Sequence, residues 1–356
     1  MSMASNLLNG PQTLGQGRAF WSGAAAVLVL AIAYPAFVDS YDVGSSAYFL
    51  CWVFMALGLC LMWGYGGMMS FGQTFFFGVG GYGYGVIEIN LGVANGGALA
   101  SLGAALLVTA LAAALIGYFM IYGRIGGMFF GIVTFAVTLA LAFFLNQTAG
   151  PEWHIGTARL NGFNGMQGMD PLALPWFGGD IDLEGTPFYY FVLALLIVVY
   201  LLLRMLVNSR FGNVLVAIRE DPLRAELLGY DTRRYLLVTL VIGSTLGGLS
   251  GALYCSWGQF ISPSSIGLPA AAMPVVWVAF SGRSDVTATL VGTLLVIVGF
   301  QALTIYSEQW ALVLMGILLA GTVLLAPDGL IVSLANALAR RRARSRAVLE
   351  PSLAER

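Results

Sequence analysis

The sequence contains no lysine and only one histidine, His154, so its sixteen other basic side chains are all arginine. A phosphate-binding P-loop needs a lysine beside the β- and γ-phosphates, and Schiff-base catalysis needs one as well. If this chain works with ATP, another chain must therefore hydrolyse it. A single histidine is also too few for a zinc site, and we interpret His154 as an ordinary loop residue.

Cysteine is scarce and scattered. Cys51, Cys60 and Cys255 all lie in apolar runs, with no CxxC pair and no neighbouring histidine. Such residues usually serve as small buried hydrophobic side chains, so we predict no metal site. No serine stands in a GxSxG motif. Without a credible pair of nucleophile and base, the sequence predicts a protein that is not an enzyme and binds no cofactor of its own.

Charge is the next deficiency, because only 9% of the 356 residues are charged while 59% are hydrophobic. A soluble domain carries about a quarter charged residues, so most of this surface cannot face water. The net charge of −1 gives no reason to expect nucleic acid as a partner. The apolar runs are continuous and do not alternate, which favours helices over a barrel. We predict an all-α, polytopic transmembrane helical bundle in a lipid bilayer.

Crossing a bilayer as a helix takes about 20 apolar residues. Runs of that kind cover about 19–37, 45–63, 70–91, 98–121, 127–146, 187–207, 235–257, 286–306 and 310–327. A tenth run at about 262–280 is predicted to be partly unwound at Pro263, Pro269 and Pro274. The chain is therefore expected to make about ten passes that include discontinuous helices. The first run is too long for a signal peptide and should remain as a pass.

Arginines and acids fall into different connections. The segment 204–234 holds six arginines, whereas 147–186 holds five acids and one arginine. Cytoplasmic loops are enriched in arginine, so ten passes place both termini on the cytoplasmic side of the membrane. The predicted parts are a cytoplasmic segment 1–18, a membrane domain 19–332 with an outer loop 147–186 and a cytoplasmic loop 208–234, and a basic cytoplasmic tail 333–356.

A glycine-rich stretch, residues 64–73, interrupts the apolar pattern. Irregular backbone at membrane depth persists only where protein or water satisfies its polar groups, and the path of a polar solute is one such setting. The candidate path residues are Tyr65, Ser70, Gln73, Phe75, Phe76 and Phe77, with the phenylalanines as apolar walls. Helix packing with a tight cytoplasmic turn is the alternative.

Two other glycine patterns indicate helix packing. Residues 78–83 match the GxGxxG dinucleotide pattern, but they lie in an apolar run without a parallel-sheet unit around them. Gly243, Gly247 and Gly251 form a GxxxGxxxG ridge that permits close approach of helices. We interpret both patterns as helix-packing faces.

Polar groups on the outer side are few. Asn161 and Asn164 lie in a glycine-rich part of the outer loop and suit a docking surface, with an ordinary solvated loop as the alternative. Glu88 is the only acid within or near the end of a predicted span. An intramembrane carboxylate is often functional, whereas one at the outer interface need not be.

The segment 217–229 carries the clearest local signals. Asp221 is placed as an N-cap, Pro222 as the first helical residue and Gly229 as the stop of a helix of about two turns. A short helix with apolar and charged edges on a cytoplasmic loop usually contacts a partner, and charges of both signs favour a protein groove over lipid. The predicted contact residues are Arg219, Glu220, Asp221, Leu223, Arg224, Glu226, Leu227 and Gly229.

Four stretches resemble the branched-chain amino-acid permease family of ABC importers, specifically its LivM-like branch, which includes urea and amide permeases. They are WGYGGMMSFGQTFFFGVGGYGYG from Trp63, NGFNGMQGM from Asn161, AIREDPLRAELLGYD from Ala217 and APDGL from Ala326. The resemblance covers about residues 45–332. This sequence departs from many relatives at Gln73, where histidine is common, and at Asp328, where arginine is common.

The resemblance implies a channel-forming permease subunit of a bacterial inner membrane, in which 217–229 is the coupling helix. It implies three kinds of partner: a homologous second permease subunit, two cytoplasmic ABC ATPase subunits that hold ATP and Mg²⁺, and a periplasmic substrate-binding protein. The expected cargo is a branched-chain or other amino acid, with urea or a short amide behind. A secondary transporter and a passive channel remain the alternatives.

Overall fold

The computed structural model describes residues 8–92, 97–176, 179–326 and 328–336. Its main helices are α1 Gly17–Ala33, α2 Ser40–Leu59, α3 Gln73–Leu91, α4 Gly97–Tyr122, α5 Met128–Gln147, α6 Thr186–Val207, α7 Arg210–Glu220, α8 Pro222–Leu227, α9 Thr232–Gly258, α10 Leu268–Ser281, α11 Val286–Thr304 and α12 Glu308–Leu325. The strands are β1 His154–Ile155, β2 Ala158–Arg159, β3 Met166–Gln167, β4 Ala173–Trp176, β5 Gly179–Asp182 and β6 Phe260–Ile261. Because the described strands form only three two-stranded sheets, the predicted all-α class is confirmed.

Eight helical segments of the described chain are long and apolar enough to cross a membrane. They are Gly17–Ala36, Ser40–Tyr65, Gly97–Tyr122, Met128–Gln147, Thr186–Val207, Thr232–Gly258, Pro263–Ser281 and Val286–Thr304. The two remaining predicted runs are also helical, as α3 and α12. The chain is therefore a multi-pass membrane protein, and the number of ten passes stays a prediction.

The proline-broken run differs from its prediction at two of the three prolines. Pro263 begins a short 3₁₀ turn, as a break in the α-helix requires, whereas Pro269 lies in the first turn of α10, where proline is tolerated. Pro274, however, lies within α10, which continues through it. Neighbouring helices satisfy the backbone groups that a proline frees inside a membrane bundle, so no unwinding follows there.

Basic and acidic connections lie at opposite ends of the bundle. The basic end comprises the turns at 60–72, 122–128, 208–232 and 281–285 and carries Arg124, Arg210, Arg219, Arg224, Arg233, Arg234 and Arg283. The acidic end comprises the 34–42 turn, the 147–186 loop and β6. The predicted separation of charge is thus confirmed, and its orientation across the membrane stays a prediction. Residues 1–7 and the predicted tail from 337 onward lie outside the described residues.

Helices α2 and α9 occupy the centre of the bundle. Every side chain of α2 from Val53 to Leu57 is fully buried, whereas α1 contains no buried residue. A span that is apolar and buried all round must be enclosed by other helices. Helix α1 therefore lies at the periphery.

The glycine ridge of α9 lets two neighbouring helices approach it closely. A Cβ on Gly251 would lie 1.9 Å from the carbonyl oxygen of Phe77 in α3, and one on Gly243 would lie 2.7 Å from that of Gly58 in α2. A Cβ on Gly80, within the GxGxxG match, would lie 2.1 Å from the Gly248 carbonyl oxygen. Both glycine patterns serve helix packing, as predicted.

Replacing Gly251 with alanine is expected to destabilise the bundle by about 1–3 kcal/mol, the usual cost of overpacking, because the new methyl group cannot coexist with the Phe77 carbonyl. Thermal unfolding in detergent, followed by size-exclusion fluorescence, measures the change. Gly103→Ala in α4 is the matched control, since a Cβ there meets nothing within 4 Å. Equal unfolding temperatures for the two variants would contradict the packing role of the ridge.

Candidate functional site

The predicted short helix is present at the basic end as α8, which spans the six residues Pro222–Leu227. The carboxylate of Asp221 accepts a hydrogen bond from the N–H of Arg224 at 3.1 Å. Pro222 occupies the first helical position, where its missing N–H is no loss. The predicted N-terminal signals are therefore confirmed.

The other end of α8 is closed by its backbone. The N–H of Gly229 donates to the Glu226 carbonyl at 2.9 Å, and the N–H of Tyr230 donates to the Ala225 carbonyl at 3.2 Å. This pair of bonds is a Schellman cap, which needs a residue in the left-handed conformation. Gly229 supplies it with φ of +90°, as its predicted stop role requires.

One edge of α8 is apolar and faces away from the rest of the chain. Leu223, Leu227 and Leu228 are 71, 88 and 76% exposed. On the opposite edge, Ala225 is buried in a small cluster with side chains of α7 and α9. An exposed apolar patch of this kind is typical of a docking surface. Helix α8 is thus held from one side and open on the other.

The charged residues predicted to contact a partner are paired within the chain. Arg219 contacts Glu220 at 2.6 Å, and Arg224 contacts Asp221 at 2.9 Å. Glu226 accepts a hydrogen bond at 2.8 Å from a threonine hydroxyl of α9. Exposed ion pairs contribute little stability, so these pairs can exchange with charges on another protein at small cost.

Arg219 also joins α7 to the membrane domain. Its guanidinium donates to the carbonyl of Gly64 in the 60–72 turn. A Cβ on Gly67 of the same turn would lie 3.0 Å from Cγ of Arg219. Helix α7 therefore lies directly on the glycine-rich turn and connects it with the exposed helix α8.

The glycine-rich stretch is irregular, as predicted. Helix α2 ends in a π-helix at Cys60–Tyr65, and α3 begins only at Gln73. The hydroxyl of Thr134 in α5 accepts from the N–H of Phe71 at 3.2 Å, and that of Thr138 donates to the Phe71 carbonyl at 3.3 Å. Helix α5 thereby satisfies polar backbone groups that the break leaves unpaired.

The predicted path residues lie inside the chain. Tyr65, Ser70, Gln73, Phe76 and Phe77 are each at most 2% exposed, and Phe75 is half-buried. Gln73 donates to the sulfur of Met62 at 3.1 Å, and its own carbonyl oxygen has no partner among the described residues. Ser70 accepts from a backbone N–H of the turn, and Phe77 stacks on Trp52. Their role in a path stays a prediction.

A groove of about 960 Å³ opens beside the turn, between α5 and α10. Its lining is apolar and includes Met69 and Phe71 of the turn, Met128 and Ile132 of α5, and Leu268 and Pro269 of α10. Met128 and Leu268 are 77 and 59% exposed, so the groove faces out of the bundle.

Sequence reasoning missed this groove and chose the neighbouring Ser70 and Gln73 instead. Those two side chains point into the bundle, whereas Met69 and Phe71 reach the groove. A signal was available in α5, where Met128, Ile132 and Phe135 recur at helical spacing on one face. The facing side of the groove is formed by Leu268, Pro269 and Ala272 of α10. These residues are distant from α5 in the sequence, so helical spacing does not reveal that the two faces meet.

Asn161 and Asn164 lie at the acidic end. Asn161 has a left-handed backbone with φ of 58° and leads into a 3₁₀ turn that ends at the exposed Asn164. This turn packs against the 3₁₀ turn that begins at Pro263. Beside it, β3 pairs with β6 in antiparallel register, Met166 opposite Ile261. The two outer connections therefore form one surface, and its docking role stays a prediction.

Two acids are buried among the described side chains. Glu88 in α3 is 5% exposed, and one of its oxygens has no partner in the described part of the chain. Asp285 is 2% exposed and caps α11 by accepting from the N–H of Ala288 at 2.6 Å. Burial raises the pKa of Asp285, while backbone donors and the charge of Arg204 oppose that rise. The described residues contain no cluster of three or more potential metal ligands.

The family described as "Branched-chain amino acid transport system / permease component" matches residues 43–323 of the chain. The chain is similar to the high-affinity branched-chain amino acid transport system permease protein LivM of Escherichia coli, with 26% identity over 319 residues, 86% of this chain and 73% of that protein. The predicted resemblance to LivM-like permeases is therefore confirmed.

Two shorter similarities accompany it. The probable branched-chain amino acid transport permease protein LivM of Methanocaldococcus jannaschii is 29% identical over 154 residues, 43% of this chain and 44% of that protein. The fructose import permease protein FrcC of Rhizobium meliloti is 28% identical over 157 residues, 41% of this chain and 42% of that protein. No solved structure matches the chain.

Replacing Asp221 with alanine should remove the N-cap of α8 at a cost of about 1 kcal/mol. Hydrogen exchange of the α8 amides, measured by mass spectrometry, should accelerate about fivefold as a result, because local opening is that much easier. Asp221→Asn is the matched control, since asparagine caps as well as aspartate. Equal acceleration in the two variants would show that the ion pair with Arg224, not the cap, holds the helix, and no acceleration in either would contradict both roles.

Proposed function

Because the chain belongs to the family of branched-chain amino acid transport permease components, we propose that it forms half of the membrane channel of an ATP-driven importer. The observation that carries the proposal is the exposed leucine edge of α8. Helix α8 is capped at both ends, and its leucine edge is exposed at the basic end, where an ATPase subunit would bind. The chain itself is then a non-catalytic transport subunit.

The division of labour follows from the composition. The chain has no lysine with which to build a P-loop, so two partner ATPase subunits bind ATP and Mg²⁺. Leu223 and Leu227 enter a cleft on one of them, and the charged residues from Arg219 to Glu226 exchange their internal pairs for charges on that subunit. Closure of the ATPases then pushes on α8.

The push reaches the membrane through α7. Arg219 donates to the carbonyl of Gly64 in the 60–72 turn. The same turn contains Met69 and Phe71, which line the groove on the outside of the bundle. A second, homologous permease subunit covers this groove, and the solute crosses between the two subunits by alternating access. Tyr65, Ser70, Gln73 and Phe75–77 lie beneath the residues that line this path and support them from inside the bundle.

The lining of the groove bears on the cargo. A largely apolar wall suits the branched side chain of such an amino acid better than urea, which has no apolar carbon, or a short amide, which has few. Two of the relatives carry branched-chain amino acid transport in their names, whereas a third is a fructose import permease. We therefore propose a branched-chain amino acid as the cargo.

The orientation follows from the charges. Arginine-rich connections remain in the cytoplasm, so the basic end faces the ATPases and both termini lie on the cytoplasmic side of a bacterial inner membrane. The acidic end faces outward, where a substrate-binding protein docks near Asn161 and Asn164. The loops 147–186 and 258–268, joined through β3 and β6, form its landing surface.

Leu227→Glu tests the ATPase contact. The side chain is 88% exposed, so the change leaves the fold intact while placing a charge in the partner's cleft. We expect at least a tenfold loss of P-loop ATPase that co-purifies with the tagged chain, and loss of ATP-driven uptake of leucine. Quantitative mass spectrometry of the purified complex measures the first effect.

Ile155→Glu is the control, because it places the same charge on a side chain that is 54% exposed at the acidic end. It should leave the ATPase yield unchanged. A wild-type chain that brings down neither an ATPase nor a second permease would favour the secondary transporter or passive channel. In the first of these, the buried Glu88 would be the ion-coupling candidate.

A further inference from the structure

Residues 8–16 form a strap that lies across the basic end before α1 begins. The strap is bonded to three helix ends: the hydroxyl of Tyr65 donates to the Gln12 carbonyl at 2.9 Å, the side-chain amide of Asn208 donates to the Thr13 hydroxyl at 3.1 Å, and the N–H of Leu14 donates to the Asp285 carboxylate. The strap therefore joins the ends of α2 and α6 to the start of α11.

Arg204 of α6 anchors the strap and has no exposed surface. Its guanidinium donates to three strap carbonyls, those of Leu8 at 2.6 Å, Leu14 at 3.2 Å and Gly15, and to the hydroxyls of Tyr200 at 2.9 Å and Thr287 at 3.0 Å. The ring centroids of Phe20 and Trp21 in α1 lie 4.7 and 5.3 Å from its Cζ atom, so both rings are in cation–π contact with the guanidinium.

A buried guanidinium is tolerated only where its N–H donors are paired. Three of the five hydrogen bonds of Arg204 go to the strap, so release of the strap would break them together. This favours a fixed part of the basic end over a lid that opens.

The same strap holds the root of α7. The side-chain carbonyl of Asn208 accepts from the N–H of Gln12 at 3.2 Å, and Asn213 in the first turns of α7 accepts from the Gln12 side chain at 3.4 Å. A Cβ on Gly10 would lie 2.4 Å from the side-chain oxygen of Asn208. Helix α7 is thus fixed at its start by the strap and at its end by the bond from Arg219 to the 60–72 turn.

We propose that Arg204 is a positioning residue for energy coupling, because it holds the strap as a clamp between α7 and the ends of α2, α6 and α11. A push on α8 then moves these helices together. Without the clamp, α7 would pivot about its Arg219 end, and the push on α8 would move only the 208–232 connection and not the membrane helices. This inference rests on the proposed function, which assigns the ATPase contact to α8.

The test compares Arg204→Met with Arg204→Lys in the complete complex, reconstituted in proteoliposomes. The quantity measured is ATP hydrolysed per leucine transported, at equal amounts of assembled complex. Methionine fills the space without donors and should raise this ratio at least threefold. Lysine, which keeps the charge and three donors, should return it toward the wild-type value. Co-purification of the ATPases should stay normal in both variants, whereas failure of the proposed function would appear as its absence in the wild type.

Covalent rescue separates positioning from simple stability. Cysteines replacing Gln12 and Asn213 can be joined by a short bifunctional thiol reagent, since Asn213 is exposed, Gln12 is half-buried and the three native cysteines are buried. Joining them in the Arg204→Met background should bring the ratio back to within twofold of the wild type. The same variant without the reagent should stay uncoupled.

Three results would overturn the proposal: a wild-type ratio in Arg204→Met, failure of the cross-link to restore it, or arrest of transport when the cross-link is made beside an intact Arg204. The last result would reveal a latch that must open. If Arg204→Met does not fold, Gly10→Val carries the same test, because it displaces the strap from Asn208 and leaves Arg204 in place.

Discussion

A backbone N–H or carbonyl inside a membrane needs a partner, and the breaks at the basic end of this bundle obtain theirs from side chains of other helices. Thr134 and Thr138 serve the break between α2 and α3, and Arg219 serves it from the side of α7. Arg204 does the same for the strap. Irregular segments that would otherwise be weak points are thereby tied to neighbouring helices. Hydrogen bonds thereby tie α7, which precedes α8, and the irregular segments beside it to the membrane helices.

The interior of the bundle favours motion as a unit. The glycines of α9 bring its backbone against α2 and α3 so closely that a single methyl group has no room at Gly251 or Gly243. Interiors packed in this way transmit strain and deform little. The apolar groove lies outside this packed centre, on α5, α10 and the 60–72 turn. A rigid centre with an apolar groove on the outside of the bundle suits half of a channel that rocks against a second subunit.

Local sequence signals predicted the local structure well. The caps of α8 at Asp221 and Gly229, the helical spans and the packing glycines all depend on residues close in the chain, where propensity and spacing decide. Signals that depend on tertiary contact were missed. In the sequence, Arg204 groups with the loop arginines, yet it is a fully buried residue of α6. Local signals do not reveal this burial because its strap partners lie about 190 residues away in the sequence. In the sequence, polarity favours Ser70 over Met69 as a path residue, whereas the groove that Met69 lines is apolar.

The most direct measurement of the central claim is uptake of radiolabelled leucine by proteoliposomes. They should contain the chain with its co-purified partners, and its binding protein should be supplied at the acidic end. We expect uptake only when ATP is present on the side of the basic end, arrest by a non-hydrolysable analogue, and no effect when ion gradients are collapsed. Uptake that continues without ATP, or that follows a proton or sodium gradient, would contradict a half-channel driven through α8.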